Sequence, residues 1–242
     1  MGRDCFLAKY GNNTHKLEAL ASHDPQARKL ALTPQFIEAT SPEAILNALR
    51  PDRALAPQVR LVSGNIFEQG FGQHDAMALW FKTGFTRLSA EVQKFLSQLS
   101  APDIKVFVQR NGGWQRTTPD EMIYLRSTGS PYLFKVLLAD GAAKYVYVQP
   151  NADNGMAATQ QVADMTRDAL ETLFSQPVKS ICFNGIQGAN GSRNAHIDKI
   201  HAAVMLRAVH DYVTLNQLTP EFMISLIDIR DGFTFLLNEQ NA

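Results

Sequence analysis

A chain of 242 residues, 45% hydrophobic and 19% charged, has an ordinary globular composition and the length for one large domain with a sizeable core. Its 23 basic and 23 acidic residues cancel and form no basic run, so no nucleic-acid partner is expected. No apolar stretch approaches the roughly 20 residues of a membrane span, and the start MGRDCF is neither a secretory nor a myristoylation signal, so a soluble, cytoplasmic protein without a membrane partner is expected.

Residues 1–58 read as a helical extension packed on a domain spanning 59–242. Ser41-Pro42-Glu43 is a helix start with a hydroxyl cap, proline at the first position and an acid in the first turn. Helices are weaker around Leu17–Ala21 and Pro25–Leu32, and Asp24-Pro25, Thr33-Pro34 and Ser41-Pro42 read as breaks between short pieces. Val59–Val62 begins the first strand. Gln69–Asp75 is a glycine-bearing loop, and Ala76–Phe81 is apolar and fits a strand or a first helical turn. Leu88, Val92, Phe95, Leu96 and Leu99 share one side of a helix over 87–99.

Ile104–Gln109 predicts a strand, Asn111-Gly112-Gly113 a hairpin turn, and Trp114–Thr117 the return strand. Thr118-Pro119-Asp120-Glu121 resembles a helix or turn start. Tyr132–Leu138 and Lys144–Val148 predict two strands around Asp140-Gly141. Met156–Phe174 is a helix with Val162, Met165, Ala169, Leu170 and Leu173 on its apolar face. A strand at 178–183, a helix from Ser192 to about 216 and a strand at 222–229 complete an alternation that argues for an α/β sheet.

The stretch richest in chemistry is Asn184–Gly191. Gly185, Gly188 and Gly191 let the backbone approach a ligand closely, between a buried strand and the positive end of a helix. The spacing GxxGxxG is neither the dinucleotide fingerprint nor a P-loop. Two readings stay open: a cradle for phosphate or pyrophosphate, and a tight strand-to-helix turn ending in a Ser192 cap.

Other side chains offer less. His74-Asp75 places a histidine beside an acid in a loop. His201 falls on the apolar face of its helix with Ile197, Ile200 and Val204 and reads as a packing histidine. Cys5 and Cys182 make neither a disulfide framework nor a metal-ligand spacing, and Cys182 reads as a small core residue. No metal and no cofactor are expected, and no serine or cysteine nucleophile motif occurs.

From Lys144 onward the pattern resembles the second half of a macro domain, the ADP-ribose-binding fold. Lys179-Ser180-Ile181-Cys182-Phe183-Asn184-Gly185-Ile186-Gln187-Gly188 is similar to the family's strand and phosphate loop. Val62-Ser63-Gly64-Asn65-Ile66 is similar to the strand ending in Gly-Asp-Ile, with asparagine in place of aspartate, and Asn184 stands where proline is usual. The family's asparagine-rich loop has no copy here.

The resemblance implies a three-layer α/β/α fold with a mixed sheet. It also implies ADP-ribose, or an ADP-ribosylated protein, as the partner. Gly185, Ile186, Gln187, Gly188, Ala189, Asn190 and Gly191 would wrap the pyrophosphate and ribose, and Asn65, Ile66 and Phe233 would lie at the adenine. If target-bound ADP-ribose is removed, Asn184, Gln187 and Asp75 are the candidate catalytic groups. The alternatives are a protein-interaction module or effector without a small ligand and, further off, a transferase using a nucleotide sugar. The oligomeric state is not legible.

Overall fold

The computed structural model describes residues 13–22, 24–50, 56–82, 90–126, 129–151, 155–185 and 195–228. It opens with four short helices: α1 (Asn13–Ala21), α2 (Pro25–Ala31), α3 (Pro34–Ala39) and α4 (Pro42–Leu49). The last three begin alike. Asp24, Thr33 and Ser41 each precede a proline, and each side-chain oxygen accepts a backbone N–H from the first turn: Gln26 at 2.9 Å, Phe36 at 3.3 Å and Ala44 at 3.2 Å. Proline at the first helical position loses only an N–H that has no helical partner anyway. The three Xaa-Pro pairs read as breaks are therefore also starts.

Eight strands form one sheet: β1 (Val59–Ser63), β2 (Ala76–Lys82), β3 (Lys105–Arg110), β4 (Gly113–Thr117), β5 (Tyr132–Leu137), β6 (Ala143–Asn151), β7 (Ser180–Asn184) and β8 (Met223–Asp228). Their order is β1-β8-β7-β2-β6-β5-β3-β4. The first five in that order are parallel, and β5, β3 and β4 alternate in direction as hairpin-like neighbours. The ambiguous run at 76–81 is a strand at the heart of this sheet.

Side chains alternate between two cores, as a period of two requires. Ala76, Ala78 and Trp80 of β2, Tyr145 and Tyr147 of β6, and Ile181 and Phe183 of β7 face α1–α4 together with α7 (Gly155–Phe174) and α8 (Ala195–Leu215). Met77, Leu79, Val146, Val148 and Cys182 face α5 (Ala90–Leu99) and α6 (Pro119–Arg126). The result is a three-layer α/β/α fold around a mixed sheet, as the resemblance implies.

The N-terminal helices share the first core. Ala19, Leu20, Phe36, Ile45 and Leu49 are buried in the same cluster as Phe183 and Leu226. A buried charge group fixes their seat. Arg28 on α2 pairs with Asp211 on α8, whose other oxygen takes Arg207 Nε at 3.2 Å. Arg207 then donates to Arg50 O at 2.9 Å and to Ala21 O at 3.4 Å, closing carbonyls at the ends of α4 and α1. Lys29 pairs with Asp164 and ties α2 to α7.

Between β1 and β2 the chain returns across the second core. It makes one wide turn, Ile66–Gly70, in which Phe71 N–H bonds Ile66 O at 3.2 Å. A Cβ on Gly70 would lie 2.7 Å from the Cys182 sulfur and 2.9 Å from Ile66 Cγ1, so only glycine lets the turn settle on the sheet.

Candidate functional site

The parallel strands set the position of a crevice. From β2 the chain continues through α5, on one face, toward β3. From β7 it continues through α8, on the other face, toward β8. The strand order reverses between β2 and β7, and ligands of open α/β sheets sit beyond the carboxyl ends of strands at such a switch.

β2 and β7 part company at this point. Their last ladder pair is Ala78 with Phe183. Beyond it the Asn184 side chain replaces the ladder: its Oδ1 accepts Trp80 N–H at 3.2 Å, and the Trp80 indole N–H donates to Asn184 O at 2.8 Å. Asn184 Nδ2 donates to Gly185 O at 3.2 Å. Asn184 is thus a clamp between β2 and β7 where their ladder stops, with its amide engaged by backbone and neighbour.

Gln149 is directly opposite Trp80 on β6. It is 9% exposed, and its Oε1 has no hydrogen-bond partner. By alternation with Tyr145 and Tyr147 it belongs to the first core face. A buried acceptor left unmet costs about 1–3 kcal/mol, which makes this amide a candidate site residue that the sequence reading does not name. The signal was a lone amide at the end of the apolar run Tyr145–Val148.

Gly64, Asn65 and Ile66 follow β1 at the same carboxyl edge. Gly64 has φ +149°, and a Cβ there would lie 2.2 Å from the Gln69 amide oxygen. Asn65 Oδ1 accepts Phe67 N–H at 2.9 Å and so caps the wide turn. The Ile66 side chain is buried in the second core. Gly185 is buried at the end of β7. Ile186, Gln187, Gly188, Ala189, Asn190 and Gly191, the Ser192 cap and Phe233 lie outside the described residues.

Asp75 is not with this group. It stands where β2 and β7 begin, four residue steps of strand below Asn184, about 13 Å at about 3.3 Å per residue. Its carboxylate accepts the N–H groups of Lys179 at 2.8 Å and Ser180 at 3.0 Å. Burial pushes this carboxyl up, but those two N–H groups, the Ser180 hydroxyl and nearby Lys144 outweigh it and hold it below its usual range. Asp75 is a staple between the feet of two strands, and the structure separates it from Asn184, its expected catalytic partner.

His74 belongs to the same structural end. Its Nδ1 bonds Gly70 O at 2.9 Å, and its Nε2 meets Ser225 Oγ at 2.8 Å. Burial lowers its pKa. Lys144 donates to the carbonyls of Phe71, Gly72 and His74, closing the returning segment. His201 is buried, with Nε2 2.6 Å from Thr159 Oγ1, as a packing histidine. Among the described residues no cluster of three His, Cys, Asp or Glu side chains could hold a metal ion, and no helix is long and apolar enough to cross a membrane.

No protein-family model and no curated protein matches the sequence. Solved structures do resemble it. The macro domain of ganglioside induced differentiation associated protein 2 superposes with a TM-score of 0.52 at 14% identity, over 78% of this chain and 88% of that one. An Oceanobacillus iheyensis macrodomain with MES bound gives 0.49 at 10% identity, over 77% and 96%. A Trypanosoma brucei macrodomain in complex with ADP gives 0.45 at 11% identity, over 77% and 70%. At such identities the likeness is one of architecture, and the architecture of this chain is the macro-domain fold.

Proposed function

We propose that this chain binds ADP-ribose, or a closely related nucleoside diphosphate, in the crevice beyond the carboxyl ends of β2 and β7. The observation that carries the reading is the reversal of strand order at the Trp80–Asn184 clamp. It lies on a macro-domain fold, and in the sequence the glycine-spaced segment 185–191 follows β7 and precedes α8. In this reading the amides of Gly185 to Gly191 take the pyrophosphate. Asn65 and Ile66, which follow β1 at the same edge, take the adenine with Phe233. Gln149 offers its unmet acceptor to a ligand hydroxyl.

The placements favour binding over turnover. Asp75 is at the far end of β7 and Asn184 is engaged by Trp80. Removal of ADP-ribose from a target is the narrower reading, and it rests on Gln187 alone of the three expected catalytic groups.

Titration calorimetry and thermal shift with ADP-ribose, AMP, NAD and a nucleotide sugar test the proposal, since a ligand that binds only the folded state raises its melting temperature by mass action. ADP-ribose is expected to bind, and Gly188→Glu, which puts bulk and negative charge where the phosphates would sit, to abolish binding while leaving the fold intact. No shift with any of the four at about millimolar ligand, or full binding by the variant, overturns it. Release of ADP-ribose from a mono-ADP-ribosylated protein would establish turnover as well.

A further inference from the structure

Beyond β6 the sheet continues into β5, β3 and β4, where one face carries exposed and half-buried side chains toward its β4 edge. Val106, Val108, Phe134 and Val136 point into the second core. The opposite positions are Lys105, Phe107 and Gln109 on β3, Trp114 and Arg116 on β4, and Leu133, Lys135 and Leu137 on β5. Lys105, Gln109 and Arg116 are exposed, Phe107, Trp114, Lys135 and Leu137 are half-buried, and Leu133 is buried in the first core.

These side chains form an ordered row. Arg116 pairs with Phe107, Phe107 with Lys135, and Lys135 with Tyr145, in register across four strands. The Arg116 guanidinium lies 5.4 Å from the Phe107 ring centroid, and Lys135 Nζ 5.5 Å from that of Trp114. Trp114 in turn meets Tyr145 at 6.1 Å between centroids. Cations and rings therefore alternate along the face, and none of its positions on β3, β4 and β5 is acidic. Asp103 and Asp140 stand in turns at the rim.

We propose that this face binds single-stranded nucleic acid. Lys105, Arg116 and Lys135 offer three positive charges to a polyanion, with no acid among them to answer these charges. The interleaved rings narrow the choice. A base presents a π-face to Trp114 or Phe107, and stacking on a sheet-borne ring is a sequence-tolerant way to hold an unpaired strand. An acidic peptide would satisfy the cations and leave the rings idle, and a duplex keeps its bases stacked away from them. The even overall charge and the absence of a basic run argue against a nucleic-acid partner at the level of the sequence. The three cations come from different strands, and only pairing collects them. The site is independent of the β2–β7 crevice.

Fluorescence anisotropy with labelled oligo-uridine tests this, alongside a base-paired RNA hairpin and a glutamate-rich peptide. The single strand is expected to bind, with a logarithmic salt slope of about −2, at about −0.7 per phosphate for three phosphates. Trp114→Ala should weaken binding about tenfold. Because Trp114 also packs on Tyr145, the pair Lys105→Glu and Arg116→Glu serves as the second variant; both side chains are exposed, so folding and ADP-ribose binding should be unchanged. Its expected effect is a loss of at least about tenfold and a slope shallower by about 1.4. No binding of the oligonucleotide, unaltered binding by the charge-reversed pair, or equal binding of the hairpin or the peptide would each overturn the assignment.

Discussion

Trp80 and Asn184 are joined twice, backbone N–H to side-chain amide at 3.2 Å and indole N–H to backbone carbonyl at 2.8 Å. The pair takes over where the β2–β7 ladder stops at Ala78 and Phe183. Asn184→Ala would leave the Trp80 N–H without its acceptor. The expected loss is about 1–3 kcal/mol, read as a lower urea midpoint at an unchanged slope. An unchanged midpoint would mean that water replaces the amide.

Gln149 holds an acceptor that the fold does not satisfy. Gln149→Leu keeps the volume and removes that acceptor. Stability should hold or rise, by up to about 1–2 kcal/mol, while ADP-ribose affinity falls. Opposite signs in stability and affinity are the mark of a group kept for a ligand. Unaltered affinity would make Gln149 a packing residue only.

The Arg28–Asp211–Arg207 group predicts an order of effects. Burial pushes the Arg28 guanidinium pKa down, and the Asp211 carboxylate opposes that shift. Arg28→Ala leaves Asp211 paired with Arg207. Asp211→Ala leaves two buried guanidinium groups without their carboxylate. Breaking a buried pair costs about 3–5 kcal/mol, so Asp211→Ala should be the more damaging of the two by chemical denaturation. Arg28→Ala as the worse variant would contradict this geometry.

Acid should loosen the feet of β2 and β8 through His74. Its folded pKa is depressed, by burial first, so the unfolded chain takes up the proton more readily. The stability it contributes is complete above the unfolded value of about 6.5 and falls as the pH drops below it. Asp75, also depressed, adds its own loss below about pH 4. Calorimetry should show a melting temperature that is level between about pH 7 and 8 and declines from about pH 6.5 downward. His74→Gln should lower the plateau and flatten the decline between about pH 6.5 and 5. A variant that keeps the same slope would assign the decline to another group.

Much of the architecture was legible because it is local. Short apolar, β-rich runs marked β3, β6 and β7, the spacing of Val162, Met165, Ala169 and Leu170 marked α7, and Ser41-Pro42 marked the start of α4. The macro-like pattern after Lys144 led to a fold that the superposition supports. Less legible was the role of residues whose partners are distant in the chain. His74-Asp75 looked like a loop base beside an acid, yet Ser225, Lys179 and Ser180 turn both into structural groups.

The sequence by itself determined the elements, their amphipathic faces and the glycine-spaced segment after β7, because periodicity, capping and backbone freedom depend on near neighbours. The tertiary structure alone decided which end of the sheet each polar residue occupies. It set Asp75 at the foot of β7 and Asn184 at its top, placed Gln149 beside Trp80, and aligned Arg116, Phe107, Lys135 and Tyr145 in one row. Strand order and register follow from which faces bury together across the whole chain, and no local run of residues carries that information.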